Sequence, residues 1–143
     1  MTNHDSAPIL AALQALIDVV AKLRDPDSGC PWDLAQTPQS LTPYIIEEAY
    51  ETVHAIGSGD RSAIVSELGD LLLQVVLQSQ LASEAGQFTL EDVAQSISEK
   101  LIRRHPHVFG DVQVAGVEEV RSNWEEIKAI EKGQTSELLS DKL

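Results

Sequence analysis

The feature of this sequence that most constrains its fold is the three- and four-residue spacing of its apolar side chains. Near the N-terminus these residues fall on one helical face: Ile9, Leu10, Leu13, Leu16, Ile17, Val20 and Leu23. This is the period of an amphipathic helix, whereas β-hairpins require strict alternation between tight turns, which is not seen. The chain is therefore predicted to be all-α.

Short turn signals divide this pattern into predicted helices. The predicted ranges are Ile9–Arg24, Pro43–Ile56, Arg61–Ala85, Thr89–Arg104 and Val117–Lys132. Because short connections join most of them, we expect an antiparallel bundle of about four to five helices that oligomerises through helix packing. Residues 1–132 are predicted to form a single domain, and residues 133–143 a polar, flexible tail.

The charge and cysteine content limit the partners and the compartment. A formal net charge of −13 argues against a nucleic-acid polymer, whose phosphates need a basic face. The single Cys30 cannot form an internal disulfide, which favours a reducing cytoplasm. No signal sequence and no apolar run of about 18 residues are visible, so we expect a soluble cytoplasmic protein without a membrane partner.

Five carboxylates occupy neighbouring helical faces in the middle of the chain. Glu47, Glu48 and Glu51 lie opposite the apolar side of the second predicted helix. Glu67 and Asp70, three residues apart, flank the apolar side of the next one. Two helices joined by a short loop pack antiparallel, so these carboxylates can meet.

The absence of nearby positive residues decides how this acidic cluster is interpreted. A solvated acidic face is the simplest explanation, but such faces usually mix Glu with Lys at i+4 spacing. Here Arg61 is the only Lys or Arg between Asp25 and Glu99. Converging carboxylates without a basic partner need a proton or a cation. Hard oxygen ligands suit Mg²⁺, or Mn²⁺ as an alternative.

The positive residues collect towards the C-terminus. Lys100 and Arg104 lie beside the apolar stripe of the fourth predicted helix, while Arg103 is expected to point outward. In the last helix Trp124 and Lys128 are four residues apart and share a face. Taken singly, Lys100 and Arg104 are explained as favourable charges at a helix C-terminus, and Trp124 is explained by core packing. Together with a metal site they form a receptor for a polyphosphate that carries a base.

Two further groups receive a structural interpretation first. Trp32 follows Cys30 in a turn, where loop packing is favoured over contact with a substrate base. His105 and His107 flank Pro106, and we expect them to serve the helix end or the loop, since no soft ligand lies nearby.

Several segments of the chain resemble the MazG family of nucleoside triphosphate pyrophosphohydrolases. They are "LRDPDSGCPWDLAQTPQSL", "YIIEEAYETVHAIGSGD", "SELGDLLLQVVL", "KLIRRHPHVFGD" and "NWEEIKAIEK", which span about three quarters of the chain. The defining pattern of the family, EExxE followed by ExxD, falls on Glu47, Glu48, Glu51, Glu67 and Asp70.

The resemblance implies Mg²⁺-dependent hydrolysis of an NTP to the NMP and pyrophosphate, in nucleotide-pool housekeeping. It implies Glu48, Glu51, Glu67 and Asp70 as metal ligands, with Glu47 on a second ion or as general base, so that Glu47 and Glu48 serve catalysis. It also implies nucleotide contacts from Lys100, Arg104, Trp124 and Lys128, and a homodimer or higher homo-oligomer.

The departures from the family pattern are Ser66, Leu77 and Gln78, where the family commonly has a Glu, an aromatic residue and a histidine. None of them removes a motif carboxylate.

Two alternative functions stay open. One is a dCTP- or dUTP-type pyrophosphatase or a phosphoribosyl-ATP pyrophosphohydrolase on the same scaffold. The other is a non-catalytic acidic module that binds a metal or a partner helix.

Overall fold

The computed structural model describes residues 5–135, which are helical apart from the connections, with no β-strand in this range. The prediction of an all-α fold is confirmed. The helices are α1 (Ser6–Leu23), α2 (Pro31–Leu34), α3 (Thr42–Ser58), α4 (Arg61–Glu84), α5 (Leu90–Arg103), α6 (Pro106–Phe109) and α7 (Val117–Thr135). Residues 133–135 of the predicted tail continue α7, and residues 136–143 lie outside the described part.

The two short helices, α2 and α6, are not among the predicted ones. Each is a single turn that begins at a proline, Pro31 or Pro106. Proline suits this position because its fixed φ matches a helix and the first N–H needs no partner. These turns were assigned to loops because four residues are too few to show a helical period.

Contacts along the chain define two compact units, Met1–Leu90 and Glu91–Leu143. The first contains α1 to α4, and the second contains nearly all of α5 together with α6 and α7.

The first unit is built around a hairpin of α3 and α4. Gly59 ends α3 with a left-handed φ of 74°, a conformation that glycine adopts without the steric cost of a Cβ. Asp60 then caps α4, its side chain accepting a hydrogen bond from the backbone N–H of Ser62 at 3.1 Å. A turn of this kind sends α4 back along α3.

A small apolar core joins α1 to the second half of α4. Its buried members are Val20, Leu41, Val76, Leu77 and Leu81, and Leu16, Ile17, Leu73 and Leu90 pack around them. At the same end, Arg24 makes two hydrogen bonds to Glu84, 2.5 and 3.1 Å long, and donates to the Asp33 carbonyl. One arginine thus ties the ends of α1 and α4 to α2.

The hairpin turns the acidic side of α3, rather than its apolar stripe, towards α4. Thr52 and Ala55 are the buried residues of α3. By contrast, Ile46, Val53 and Ile56 are 59%, 68% and 55% exposed. The apolar stripe that the sequence displays is therefore not part of the core within this chain.

Helix α1 is long and apolar enough to cross a membrane, judged by length and composition alone. Its 18 residues have a mean hydropathy of 1.6, contrary to the expectation that no segment reaches this level. Only 6% of this stretch is buried, with Val20 in the core, and both the core helices of soluble proteins and N-terminal signal sequences meet the same criteria.

Candidate functional site

Three predicted carboxylates converge between α3 and α4. Glu48, Glu67 and Asp70 each place one oxygen within 4.8 Å of the other two. We call this group the carboxylate cluster. It draws together one residue of the EExxE motif and both acidic residues of ExxD, which are far apart in sequence but adjacent across the hairpin.

Thr52 holds the two helices together beside this cluster, a role that was not predicted from the sequence. Its buried hydroxyl lies 2.7 Å from the backbone oxygen of Glu48 and 3.2 Å from that of Glu67. Both of these residues carry cluster carboxylates, so the hydroxyl fixes their relative position. A β-branched residue one turn after Glu48 was the available signal, but its partner on α4 depends on the hairpin register.

The other two motif glutamates differ in their placement. The charge of Glu51 acts on both Glu48 and Glu67 and raises the pKa of each. Glu47 is exposed and is not one of the three converging carboxylates.

The cluster is electrostatically strained. Burial, followed by the charges of Glu51 and Asp70, raises the pKa of Glu48, and the pKa of Glu67 is raised by the same causes in the same order. One buried carboxyl oxygen of each, Oε1, has no hydrogen-bond partner among the described residues. No ion pair within residues 5–135 involves a cluster residue.

These observations fit a divalent cation. Buried oxygen atoms without donors are costly unless a positive group approaches them. Carboxylate oxygens are the ligands that Mg²⁺ and Mn²⁺ prefer. The residues present therefore have the right donor chemistry for such an ion.

The second unit contains a cationic group held by one acid. Glu131 of α7 pairs with Arg104 through Oε1 and Nη2 at 2.7 Å, and Arg103 Nε donates to its other oxygen. The hydrogen bond from Arg104 and, more weakly, that from Arg103 lower the pKa of Glu131 against the effect of burial. Glu131 was not predicted from the sequence, because its partners are on another helix.

Arg103 and Arg104 differ less in orientation than predicted. Arg103 is the more exposed, with 51% of its side chain accessible against 21% for Arg104. It does not simply point outward, however, since it shares Glu131 with its neighbour. Lys100 is half-buried on the same helix, and Lys128 Nζ lies 3.7 Å from Glu125.

Aromatic contacts support packing roles for two candidate residues. The Trp124 ring meets the His105 ring edge-on at 5.3 Å, and its buried Nε1 has no partner among the described residues. Trp32 meets Tyr44 edge-on at 5.7 Å, although 49% of Trp32 is exposed. His105 Nδ1 lies 2.6 Å from the Leu101 carbonyl, which agrees with its expected role at the helix end.

Comparison with known proteins connects these residues to a single family. The family model described as "MazG nucleotide pyrophosphohydrolase domain" matches residues 36–109. This segment contains all five acidic motif residues together with Lys100 and Arg104.

Curated relatives and a solved structure extend the match. The chain is 50% identical over 121 residues to the nucleoside triphosphate pyrophosphohydrolase/pyrophosphatase MazG of Thermotoga maritima, covering 85% of this chain and 46% of the relative. It is 45% identical over 125 residues to the nucleoside triphosphate pyrophosphohydrolase of Escherichia coli, covering 87% and 48%. A crystal structure of a MazG-related protein from Thermotoga maritima superposes with a TM-score of 0.67 at 26% identity, covering 81% of this chain and 98% of that one.

The chain is shorter than these curated relatives. It spans about half the length of the two enzymes, and a quarter of the uncharacterized Bacillus subtilis protein YabN, to which it is 50% identical over 123 residues.

Proposed function

Because this chain belongs to the MazG nucleotide pyrophosphohydrolase family, we propose that it hydrolyses nucleoside triphosphates between the α- and β-phosphates. The products are the NMP and pyrophosphate. The observation that carries this proposal is the carboxylate cluster, whose oxygens lie within 4.8 Å of one another with no basic partner among the described residues. The curated relatives named for this activity support it.

The cluster residues and Glu51 would hold Mg²⁺, with Mn²⁺ as a substitute. A bound ion of this kind lowers the pKa of a water ligand and neutralises charge on phosphoryl oxygens. Burial, followed by the charges of Glu51 and Asp70, raises the pKa of Glu48 and of Glu67, and this supports a bound cation as the group that would offset the cost of their negative charges. Thr52 keeps these two ligands in register across the hairpin.

We propose that Glu47 is the general base, which accepts the proton from the attacking water. It lies next to Glu48 in sequence but outside the three converging carboxylates, so its carboxylate is not needed to complete the cluster. Because phosphoryl transfer depends on positioning and electrostatics, the chain needs no Ser or Cys nucleophile.

Lys100, Arg104 and Lys128 are the proposed contacts to the phosphates, with Trp124 on the nucleotide. Charge-assisted hydrogen bonds from Arg to phosphate are strong and directional. Glu131 fixes the Arg104 guanidinium from one edge and leaves the Nη1 edge outside that contact.

We further propose that the active form is a homodimer or a higher homo-oligomer, in the cytoplasm, where it would maintain the nucleotide pool. Ile46, Val53 and Ile56 form an exposed apolar stripe on α3, and contiguous exposed apolar surface is a common mark of an interface. A second copy of the chain would remove this stripe from water.

Turnover of a panel of purine and pyrimidine NTPs and dNTPs with Mg²⁺ in ¹⁸O-labelled water tests the activity. The expected result is release of NMP and pyrophosphate, with the label in one product and no enzyme-bound intermediate. Glu67→Gln should abolish turnover, whereas the exposed Glu118→Gln serves as a control that leaves it intact. NDP and orthophosphate as first products would contradict the proposal.

A further inference from the structure

A pocket opens beside the carboxylate cluster, between the second half of α3 and the first half of α4. Its volume is about 360 Å³, within the range of about 300–1,000 Å³ that is usual for small-molecule sites. It is lined by Tyr50, Glu51, His54, Ala55, Ser58, Ala63 and Glu67. Glu51 and Glu67 therefore border both the cluster and this pocket, which makes the two spaces neighbours.

The remaining lining residues have little in common with a phosphate site. None of the seven lining residues is a lysine or an arginine. Ala55 and Ala63 provide small apolar surfaces, and the Ser58 hydroxyl is already bonded to the Ala55 carbonyl at 2.7 Å. With two acidic residues at its edge and no cation, the pocket would repel the β- and γ-phosphates. It suits an uncharged group instead.

Two ring side chains in the pocket have unused binding capacity. Tyr50 is 74% exposed, and His54 is also exposed. Neither makes a hydrogen bond, ion pair or ring contact with another described residue. Tyr50 and His54 are four residues apart on α3, so their rings lie on the same side of the helix. Unengaged aromatic rings beside a charged site are a suitable surface for a nucleobase, since every base has a π-face.

We propose that this pocket receives the nucleoside part of the substrate, with the base against the rings of Tyr50 and His54. The inference rests on the proposed function, because it assumes that the triphosphate is held at the adjacent cluster. Tyr50 and His54 then become specificity-determining residues, and Ala63 limits the size of the base from the α4 side. Trp32, which packs on Tyr44, keeps its role in the loop.

The test compares KM and kcat for purine and pyrimidine NTPs in the parent chain and in three pocket variants. Tyr50→Ala and His54→Ala should each raise KM for NTPs by about tenfold through lost stacking. Ala63→Leu shortens the pocket, so it should raise KM for purine NTPs more than for pyrimidine NTPs. The exposed Phe88, outside the pocket, provides a matched aromatic deletion, and Phe88→Ala should leave all these values unchanged.

Inorganic tripolyphosphate, which lacks a nucleoside, separates this effect from damage to the cluster. As a competitive inhibitor it should keep the same inhibition constant in all three pocket variants. A parallel rise in that constant would mean that the variants disturb the phosphate site and would overturn the assignment. A shift of base preference in Trp32→Ala or Trp124→Ala, with none in Tyr50→Ala, would place the base against one of these tryptophans and would also overturn the assignment.

Light scattering, which measures the oligomeric state, tests whether a second copy of the chain occupies the pocket instead of the nucleoside. If Tyr50→Ala or Ala63→Leu dissociates the assembly, the pocket belongs to an interface between copies and the inference fails. The proposed function fails separately, if the parent turns over no NTP at all. If the parent is active and none of the pocket variants changes KM, only the nucleoside assignment is lost.

Discussion

Glu131 holds Arg104 side-on, with its Oε1 at 2.7 Å from Nη2 and 3.2 Å from Nε of the guanidinium. The same carboxylate accepts a hydrogen bond from Arg103. One residue of α7 thus positions two adjacent arginines at the end of α5. Because a guanidinium donates from more than one edge, this ion pair orients Arg104 without using all of its donors.

Arg104→Ala should weaken transition-state stabilisation by roughly 1.5–3 kcal/mol, the scale of a charge-assisted hydrogen bond. Arg103→Ala should cost less than about 1 kcal/mol, because Arg103 is more exposed and water replaces its contact more easily. The measurement is kcat/KM for one NTP in both variants. Equal losses would show that the two arginines act together on the substrate rather than in different roles.

Glu131→Gln should lower kcat/KM by about fivefold, because the guanidinium of Arg104 loses the charge that orients it. The low pKa of Glu131 means that its stabilising effect is present above the ordinary value of 4.5 and is lost as the pH falls through the lowered pKa. Acid unfolding of the parent should therefore occur at a lower pH than acid unfolding of Glu131→Gln. Glu118→Gln, at an exposed position of the same helix, is the control, and an equal loss in both variants would reject an orienting role.

The metal-free protein should become less stable as the pH rises above 4.5. Burial and neighbouring charge raise the pKa of Glu48 and of Glu67 above this ordinary value. Such groups stabilise the fold while protonated, and that contribution is lost as the pH rises through the raised pKa. Melting temperatures without divalent ions, followed across this window, should fall in the parent and fall less in Glu48→Gln. If the melting temperature of the parent rises through the same window, the pKa of Glu48 and of Glu67 is not raised in the folded protein and the prediction is wrong.

Adding Mg²⁺ at about ten times its dissociation constant should stabilise the fold by roughly 1.4 kcal/mol per site. For a chain of this size the melting temperature should rise by about 3–6 °C. Glu51→Gln should remove most of this rise and nearly all turnover. Without metal, the same variant should melt at the parent's temperature or above it, because one like charge has gone. An unchanged Mg²⁺ effect in Glu51→Gln, at fixed ionic strength, would refute its assignment as a ligand.

Thr52→Val should destabilise the chain by about 1 kcal/mol, the net value of a typical hydrogen bond, while keeping the β-branched shape. The loss of the bridge between the backbones of Glu48 and Glu67 should also weaken Mg²⁺ binding, measured by calorimetry. Thr52→Ser keeps the hydroxyl and should restore the metal affinity. If the valine variant binds Mg²⁺ as well as the parent does, Thr52 supports the fold alone.

The apolar period was sufficient to predict the long helices. The acidic motif included the three carboxylates that converge, Glu48, Glu67 and Asp70, but also Glu47, which is not one of them. Neither pattern could tell which side of α3 faces α4. Ile46 and Val53 repeat like core residues, but an interface between chains removes apolar surface from water just as a core does. The choice between them depends on tertiary contacts.

Partners on other helices lie beyond the reach of local patterns. Glu131 follows Arg104 by 27 residues, and no spacing rule relates positions so far apart. Arg104 could therefore be identified as a candidate phosphate ligand without its partner. The same holds for Tyr50 and His54, which line a pocket only because Ala63 and Glu67 face them across the hairpin.

The hairpin of α3 and α4 has a consequence for how the carboxylate cluster forms during folding and how it can occur in larger proteins. Every residue from Glu48 to Asp70 belongs to one turn and its two flanking helices. Contacts that are close in sequence form early and quickly during folding. The geometry of the carboxylate cluster therefore does not depend on the folding of distant chain segments. A centre written into one continuous stretch of sequence can be carried as a unit into larger proteins, and the matched region makes up between a quarter and about half of the curated relatives.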